Sequence, residues 1–314
     1  HRTNNKKNYK FMKHIVVGGA GFIGSNLVDK LIEKKHEVII IDNFSTGKKE
    51  NINPQAQVFE LDMSDNANCS KFTDIMKNAD TVFLLAAKAR VQPSILNPVE
   101  YEINNTLGVV NILKSAAEAG VRRVVYSASS SAYGNSEVLP LKENFNINPL
   151  SPYGAQKYYG EVLCKMFSQV YNIETVSLRY FNVYGERQNI DGAYALVIGI
   201  FIHQRLNGLP MTIRGDGEQK RDFTYVGDVV DANLLASISK NVGMGEVVNI
   251  GNGDNRTINQ IADMIGGERV NIDPVIEPKE TLADNSLAKK LLGWKPSQRI
   301  EEWIPGYKKN IGLI

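Results

Sequence analysis

The run Lys13-His14-Ile15-Val16-Val17-Gly18-Gly19-Ala20-Gly21-Phe22-Ile23-Gly24 joins an apolar strand to a helix through a glycine-rich turn. Glycines at such a junction let the chain reverse tightly. They also bring backbone N–H groups against a pyrophosphate at the helix N-terminus, where the dipole favours an anion. The next apolar run, EVIIID, ends at Asp42, 24 positions after Gly18. A carboxylate there accepts from both hydroxyls of an adenosine ribose. It also repels a 2′-phosphate, and no Arg flanks it, although Lys48 and Lys49 lie nearby. The pattern therefore points to NAD rather than NADP.

Outward from this turn, strands alternate with helices. HIVV, VIIID, VFLLAA and RRVVYSAS are continuously apolar, as expected of parallel strands buried on both faces. The expected fold is α/β, a Rossmann-like doubly wound parallel sheet with a smaller C-terminal substrate-binding lobe. Residues 12–182 form the NAD-binding domain, to which 226–252 return, and 183–225 with 253–314 form the lobe. Residues 1–11, HRTNNKKNYKF, are polar and basic with no apolar core behind them. They read as a flexible extension, not a signal peptide.

The chain has 314 residues, 43% hydrophobic and 22% charged, the composition of a globular protein. Its 36 Lys+Arg against 34 Asp+Glu leave +2, too little to hold a polyanion, so nucleic acid is not expected as a partner. Cys69 and Cys164, the only two cysteines, have neither a CxxC nor a metal-ligand spacing. No metal is expected, and a reducing, cytoplasmic setting fits. The longest apolar run, Ala193 to Ile202, falls short of the roughly 20 residues a membrane span needs.

A second motif is Ser151-Pro152-Tyr153-Gly154-Ala155-Gln156-Lys157, an N-cap Ser followed by Pro at the first helical position. Tyr153 and Lys157, four apart, share one helix face. Two unit charges about 4 Å apart at an effective dielectric near 20 interact by about 4 kcal/mol. That is roughly three pKa units, enough to bring a phenol near neutrality. Chance alone supplies such pairs, as Tyr9 and Lys13 show. What sets Tyr153 and Lys157 apart is the capped helix start and the preceding strand end, Tyr126-Ser127-Ala128-Ser129-Ser130-Ser131-Ala132-Tyr133-Gly134, at the edge where doubly wound sheets place ligands. Such Ser clusters also commonly just end strands by bonding their own backbone.

Together the glycine turn, Ser129, Tyr153 and Lys157 resemble the extended short-chain dehydrogenase/reductase family, in particular its nucleotide-sugar epimerases and dehydratases. The resemblance runs from Met12 to about Pro296, through DNFSTG, AAKARVQPS, NNTLG, RYFNVYGERQ, IRGDGEQKRDFTYVGDVVDA and LADNSLAKKLLGWKP. It is strongest to UDP-hexose 4-epimerases. SASSSAYG and GAYALVI are most like those that accept N-acetylated sugars. The resemblance implies Tyr153 as the base on the sugar 4-OH, Lys157 as its activator and Ser129 as a partner of the 4-oxygen, with a hydride passing from C4 to tightly held NAD and back. It places Gly18, Gly21, Phe22, Ile23, Gly24, Asp42, Asn43, Ser45, Gly47, Asp62, Met63, Leu85, Ala86, Ala87, Asn104, Ser127 and Tyr180 around NAD. Ser130, Ser131, Asn182, Val197, Arg221 and Thr281 fall around a UDP-sugar, with Asn182 and Arg221 at its pyrophosphate. Helices near 97–119 and 153–171 would pair two copies as a homodimer.

Two local departures refine this. Dehydratases of the family carry a carboxylate directly after the catalytic Ser or Thr. Here those places are Ser130 and Ser131, whose hydroxyls cannot do general acid/base work at neutral pH, so epimerisation is favoured. Secondly, the Arg-x-Gly-Asp segment usual before LADNS is replaced by Asp273-Pro274-Val275-Ile276-Glu277-Pro278-Lys279-Glu280. That shifts phosphate holding to Arg221 and Lys279. Thr281 matches a position where a bulky Tyr restricts the pocket to plain hexoses, and a small Thr leaves room for an N-acetyl group. Other enzymes acting on nucleotide sugars, such as a uronate epimerase, and a non-catalytic NAD-binding regulator are the competing readings. His14, His36 and His203 read as surface or packing residues, Trp294 and Trp303 as packing of the lobe, and Lys48-Lys49 as a solvated loop.

Overall fold

The structure, a computed structural model, describes residues 11–190, 192 and 195–313. Residues 1–10 of the expected extension, and Ala193 and Tyr194 of the GAYALVI stretch, lie outside the described residues. Elements follow in the order β1 (Lys13–Val17), α1 (Phe22–Glu33), β2 (Glu37–Asp42), β3 (Gln57–Glu60), α2 (Cys69–Met76), β4 (Thr81–Leu84), α3 (Val91–Leu96), α4 (Pro98–Glu102), α5 (Gly108–Glu118), β5 (Arg123–Ser129), α6 (Pro152–Val170) and β6 (Glu174–Tyr180). After these come β7 (Val183–Tyr184), α7 (Val197–Leu206), β8 (Met211–Arg214), β9 (Lys220–Asp222), β10 (Thr224–Tyr225), α8 (Val226–Ile238), β11 (Met244–Ile250), β12 (Asn255–Thr257), α9 (Ile258–Ile265), β13 (Arg269–Ile272), α10 (Ser286–Leu292) and α11 (Ile300–Asn310).

The main sheet has seven strands in the order β11-β6-β5-β4-β1-β2-β3. Every neighbouring pair is parallel. The order reverses beside β1, which opens the crevice at the carboxyl ends of β1 and β4 where such sheets bind ligands. Strand alternation divides the core between two faces. Val16 and Ile40 pack with Leu27, Val229 and Val248, while Ile15 and Ile41 pack with Phe72, Ile112 and Cys164. This is the doubly wound architecture the apolar runs imply.

The lobe has its own core, in which Phe201, Ile213, Ile261 and Trp303 meet. Trp303 stacks on Tyr307 at 4.4 Å and donates through Nε1 to Glu186. The stretch 286–294 differs from the expected division. Ala288, Leu292 and Trp294 join the core of the sheet, and Trp294 Nε1 donates to the Asp228 carbonyl at 2.8 Å. Its apolar face finds α8 and β11 rather than the lobe. His14, in β1, and His36, just before β2, pack edge to face at 4.8 Å, and burial pushes His14 down to about 4. Among the described residues no helix is long and apolar enough to cross a membrane.

Candidate active site

A cavity of about 850 Å³ runs from the glycine turn, past the ends of β4 and β5, to the lobe. Its size is that of a site for a small ligand or cofactor. At one end Gly18 takes φ +89, with its Cα packed so closely on the β4 end that a Cβ would lie 2.6 Å from Ala86 N. A Cβ on Gly24 would meet the Gly18 carbonyl at 2.1 Å. The turn is thus a cradle only glycine can form. Gly21 caps α1 without a side-chain hydrogen bond and no acid stands in the first turn, which leaves the helix start open to an anion.

Asp42 is fixed at the end of β2 by two backbone donors, Ala20 N–H to Oδ2 at 3.0 Å and Phe44 N–H to Oδ1 at 2.9 Å. Burial nevertheless raises its pKa. Cradle, open helix start and carboxylate suit a dinucleotide, its pyrophosphate at Gly21–Gly24 and its ribose at Asp42. Of the residues the sequence places around NAD, all but one lie on this wall: Gly18, Gly21, Phe22, Ile23, Gly24, Asp42, Asn43, Ser45, Gly47, Met63, Leu85, Ala86, Ala87, Asn104, Ser127 and Tyr180. Asp62 does not. Its carboxylate is spent on Asn43 Nδ2 (2.9 Å) and on the Ser64 N–H and hydroxyl, so it orients Asn43 from behind.

The middle of the cavity holds Ser129, Tyr153 and Lys157 together. Ser151 Oγ accepts from Gly154 N–H at 3.1 Å and starts α6, as its sequence predicts. Lys157 is buried and donates to the Ser127 carbonyl at 2.8 Å, with its Nζ 6.0 Å from the Tyr153 ring centroid. Burial pushes Lys157 down to about 8. Burial also raises the Tyr153 phenol above its ordinary value, against the pull of the Ser129 hydroxyl and the Arg90 guanidinium. Helix geometry makes the two side chains neighbours, as the spacing expects, while the lysine also donates to a carbonyl, and Ser129 and Arg90 pull the Tyr153 phenol down against burial. Ser129 Oγ in turn accepts from the Ser131 N–H and hydroxyl at 3.2 and 2.8 Å, while Ser127 Oγ and Tyr180 Oη lie 3.0 Å apart.

The far end is shared between the ends of β5 and β6 and the lobe. Ser130, Ser131, Asn182, Val197, Arg221 and Thr281 all line it. Arg221 Nη2 forms an ion pair at 2.6 Å with Glu277 Oε2, in the very segment where the sequence departs from the family that it resembles. The Arg221 guanidinium is thus already answered by a carboxylate. Sequence reading gave no role to Glu277, Arg90 or Gln188. Gln188 is 7% exposed and lines the cavity, and among the described residues neither its amide oxygen nor its amide nitrogen has a partner. Such a buried, unanswered amide is costly unless a ligand completes it. Among the described residues no cluster of three metal-ligating side chains occurs.

Comparison with known proteins agrees with this construction. Residues 14–251 match the NAD dependent epimerase/dehydratase family. A relative described as a putative UDP-glucose 4-epimerase, from Methanocaldococcus jannaschii, is 43% identical over 92% of this chain and 95% of its own length. The UDP-glucose 4-epimerase of Thermotoga maritima, solved with UDP-glucose, superposes with a TM-score of 0.89 at 38% identity, covering 96% of this chain and all of that one. The UDP-N-acetylglucosamine 4-epimerase of Methanobrevibacter ruminantium M1, solved with UDP-N-acetylmuramic acid, gives 0.90 at 37% identity over 98% of this chain and all of that one. The chain therefore belongs to the NAD dependent epimerase/dehydratase family and is an enzyme with NAD as its cofactor.

Proposed function

We propose that the chain is a UDP-hexose 4-epimerase. The observation that carries this reading is the meeting of Ser129, Tyr153 and Lys157 midway along one cavity, between the dinucleotide cradle and the lobe's Arg221. NAD, when bound, supplies hydride acceptance and return. Tyr153 takes the proton of the sugar 4-OH and gives it back. Ser129 holds the same oxygen, and Lys157, anchored on Ser127, holds its charge beneath the ring. Ser130 and Ser131 offer no carboxylate for elimination, which favours epimerisation over dehydration.

Arg221 and Asn182 receive the UDP diphosphate, with Glu277 released from Arg221 as it binds. Thr281, 6% exposed, turns its hydroxyl away to accept from Asp222 N–H at 3.2 Å, which supports room for an N-acetyl group. The Gln188 amide can answer a sugar amide or hydroxyl. We read the protein as a cytoplasmic homodimer. Support for pairing lies in Leu96, Val99, Ile103, Tyr159 and Val162, apolar side chains exposed around α3, α4 and α6.

The test is to incubate the purified protein with UDP-glucose and with UDP-N-acetylglucosamine, without and with added NAD, and to follow the C4 configuration by NMR. Inversion at C4 of either sugar supports the reading. No inversion of any UDP-hexose in the NAD-loaded protein removes it.

A further inference from the structure

Arg90 stands immediately before α3 with φ +96, a backbone conformation that a non-glycine residue rarely adopts. Such strain persists only where the surroundings enforce it, and it collects at functional sites. The residue lines the cavity, stands at the start of the helix whose Ser94 Oγ accepts from Tyr153 N–H at 3.2 Å, and is only partly exposed. The other cations of this wall are answered by the protein. Lys88 pairs with Glu100, Lys157 with the Ser127 carbonyl, Arg221 with Glu277, and Arg214 reaches the Asp273 carbonyl. For Arg90, among the described residues, no carboxylate or carbonyl accepts a hydrogen bond. A part-buried guanidinium without an acceptor is a cost in the free chain, one that a planar anion can remove through a two-pronged hydrogen bond.

We propose that Arg90 is the anion-recognising group at the sugar end of the cavity, and that the hexose accepted there carries a carboxylate. The proposal rests on the reading of the cavity as a nucleotide-sugar site and narrows its substrate class. The phosphates have other hosts, the open start of α1 for the dinucleotide and Arg221 for the UDP. Arg90 instead neighbours Tyr153, where the reacting carbon must lie, so the anion it meets belongs to the sugar itself. Its charge also offsets part of the rise that burial imposes on the Tyr153 phenol. A carboxylate on the sugar can come from oxidation of C6 or from an acidic ether on the ring.

The experiment separates binding from turnover. NAD-loaded Tyr153→Phe protein is titrated calorimetrically with UDP-glucose and UDP-glucuronate, and with UDP-N-acetylglucosamine and UDP-N-acetylmuramic acid. One acidic sugar should bind at least about tenfold tighter than its neutral counterpart, the size expected of a charged hydrogen bond. The pair showing the difference identifies the position of the carboxylate. Adding Arg90→Gln should erase the difference and Arg90→Lys should keep part of it. Equal binding of acidic and neutral sugars overturns the proposal, as does a preference that survives Arg90→Gln. The first comparison needs no Arg90 variant, so a misfolded variant does not shelter the idea. Acidic-sugar preference without C4 inversion in the unmutated enzyme would leave the inference standing and remove the epimerase reading.

Discussion

Lys157 Nζ sits 2.8 Å from the Ser127 carbonyl and 6.0 Å from the ring centroid of Tyr153. The lysine thus ties α6 to the end of β5 and holds its charge at the middle of the cavity. Tyr153 reaches the cavity beside Ser129, with its phenol raised by burial. In the proposed mechanism proton transfer falls to Tyr153, and Lys157 fixes the helix that carries it through the Ser127 carbonyl.

Tyr153→Phe removes one oxygen and little else. Turnover should fall by about 10²- to 10⁴-fold, the usual contribution of a general base. Calorimetric affinity for UDP-sugar should change only a few-fold. A Phe variant that still inverts C4 at an appreciable rate would take the base role from Tyr153.

Lys157 also makes stability depend on pH. Its folded pKa is about 8 against an ordinary 10.5. Below pH 8 both states carry the proton, and the burial cost is fully present. Between 8 and 10.5 the unfolded state keeps the proton that the folded state has lost, so stability rises with pH. Relative to Lys157→Met, the natural chain should gain about 2 kcal/mol between pH 7.5 and 9.5 in urea unfolding. A parallel pH dependence in the two proteins contradicts the buried lysine.

Arg179 and Glu161 form a buried two-pronged pair, Nε to Oε1 at 2.8 Å and Nη2 to Oε2 at 2.7 Å, with both side chains 3% exposed. It clamps α6, and with it Tyr153, onto β6. Glu161→Gln or Arg179→Met should cost about 3–5 kcal/mol, because each leaves the partner unanswered in the core. Glu161→Leu with Arg179→Met should recover most of that stability. If the double variant loses as much as the sum of the singles, the cost is packing and not charge.

The sequence carried the sheet and the cofactor end because those signals are local. Glycines 18, 21 and 24 and Asp42 sit within one βαβ unit, where spacing alone fixes geometry. Ser129, Tyr153 and Lys157 were legible for the same reason, as a strand end and one helix face. What escaped depends on partners far apart in the chain. Arg221 meets Glu277 across 56 positions, Trp294 meets Asp228 across 66, and the Gln188 side-chain amide is defined by lacking a partner among the described residues. The bond that holds Lys157 is to a backbone carbonyl, which no side-chain pattern announces. Arg90 lay in a quoted motif, yet its meaning comes from a backbone torsion and from guanidinium donors without an acceptor among the described residues, both invisible before folding.

Thr281 closes the lobe side of the cavity under tight constraint. Its N–H donates to the Lys220 carbonyl at 3.1 Å and its hydroxyl accepts from Asp222 N–H, so the backbone cannot retreat from a larger side chain. A tyrosine here must push its ring into the cavity. Thr281→Tyr should lower kcat/KM for an N-acetylated UDP-hexose at least tenfold, in line with the 1–3 kcal/mol of overpacking, roughly a factor of ten per 1.4 kcal/mol. The UDP-hexose without the acetyl group should be affected only a few-fold. Thr281→Val serves as the control, since it removes the hydroxyl bond without adding a ring and should spare the difference between the two sugars. Equal losses for both sugars in the Tyr variant would mean that Thr281 supports β9 and Asp222 rather than shaping the room for the acetyl group.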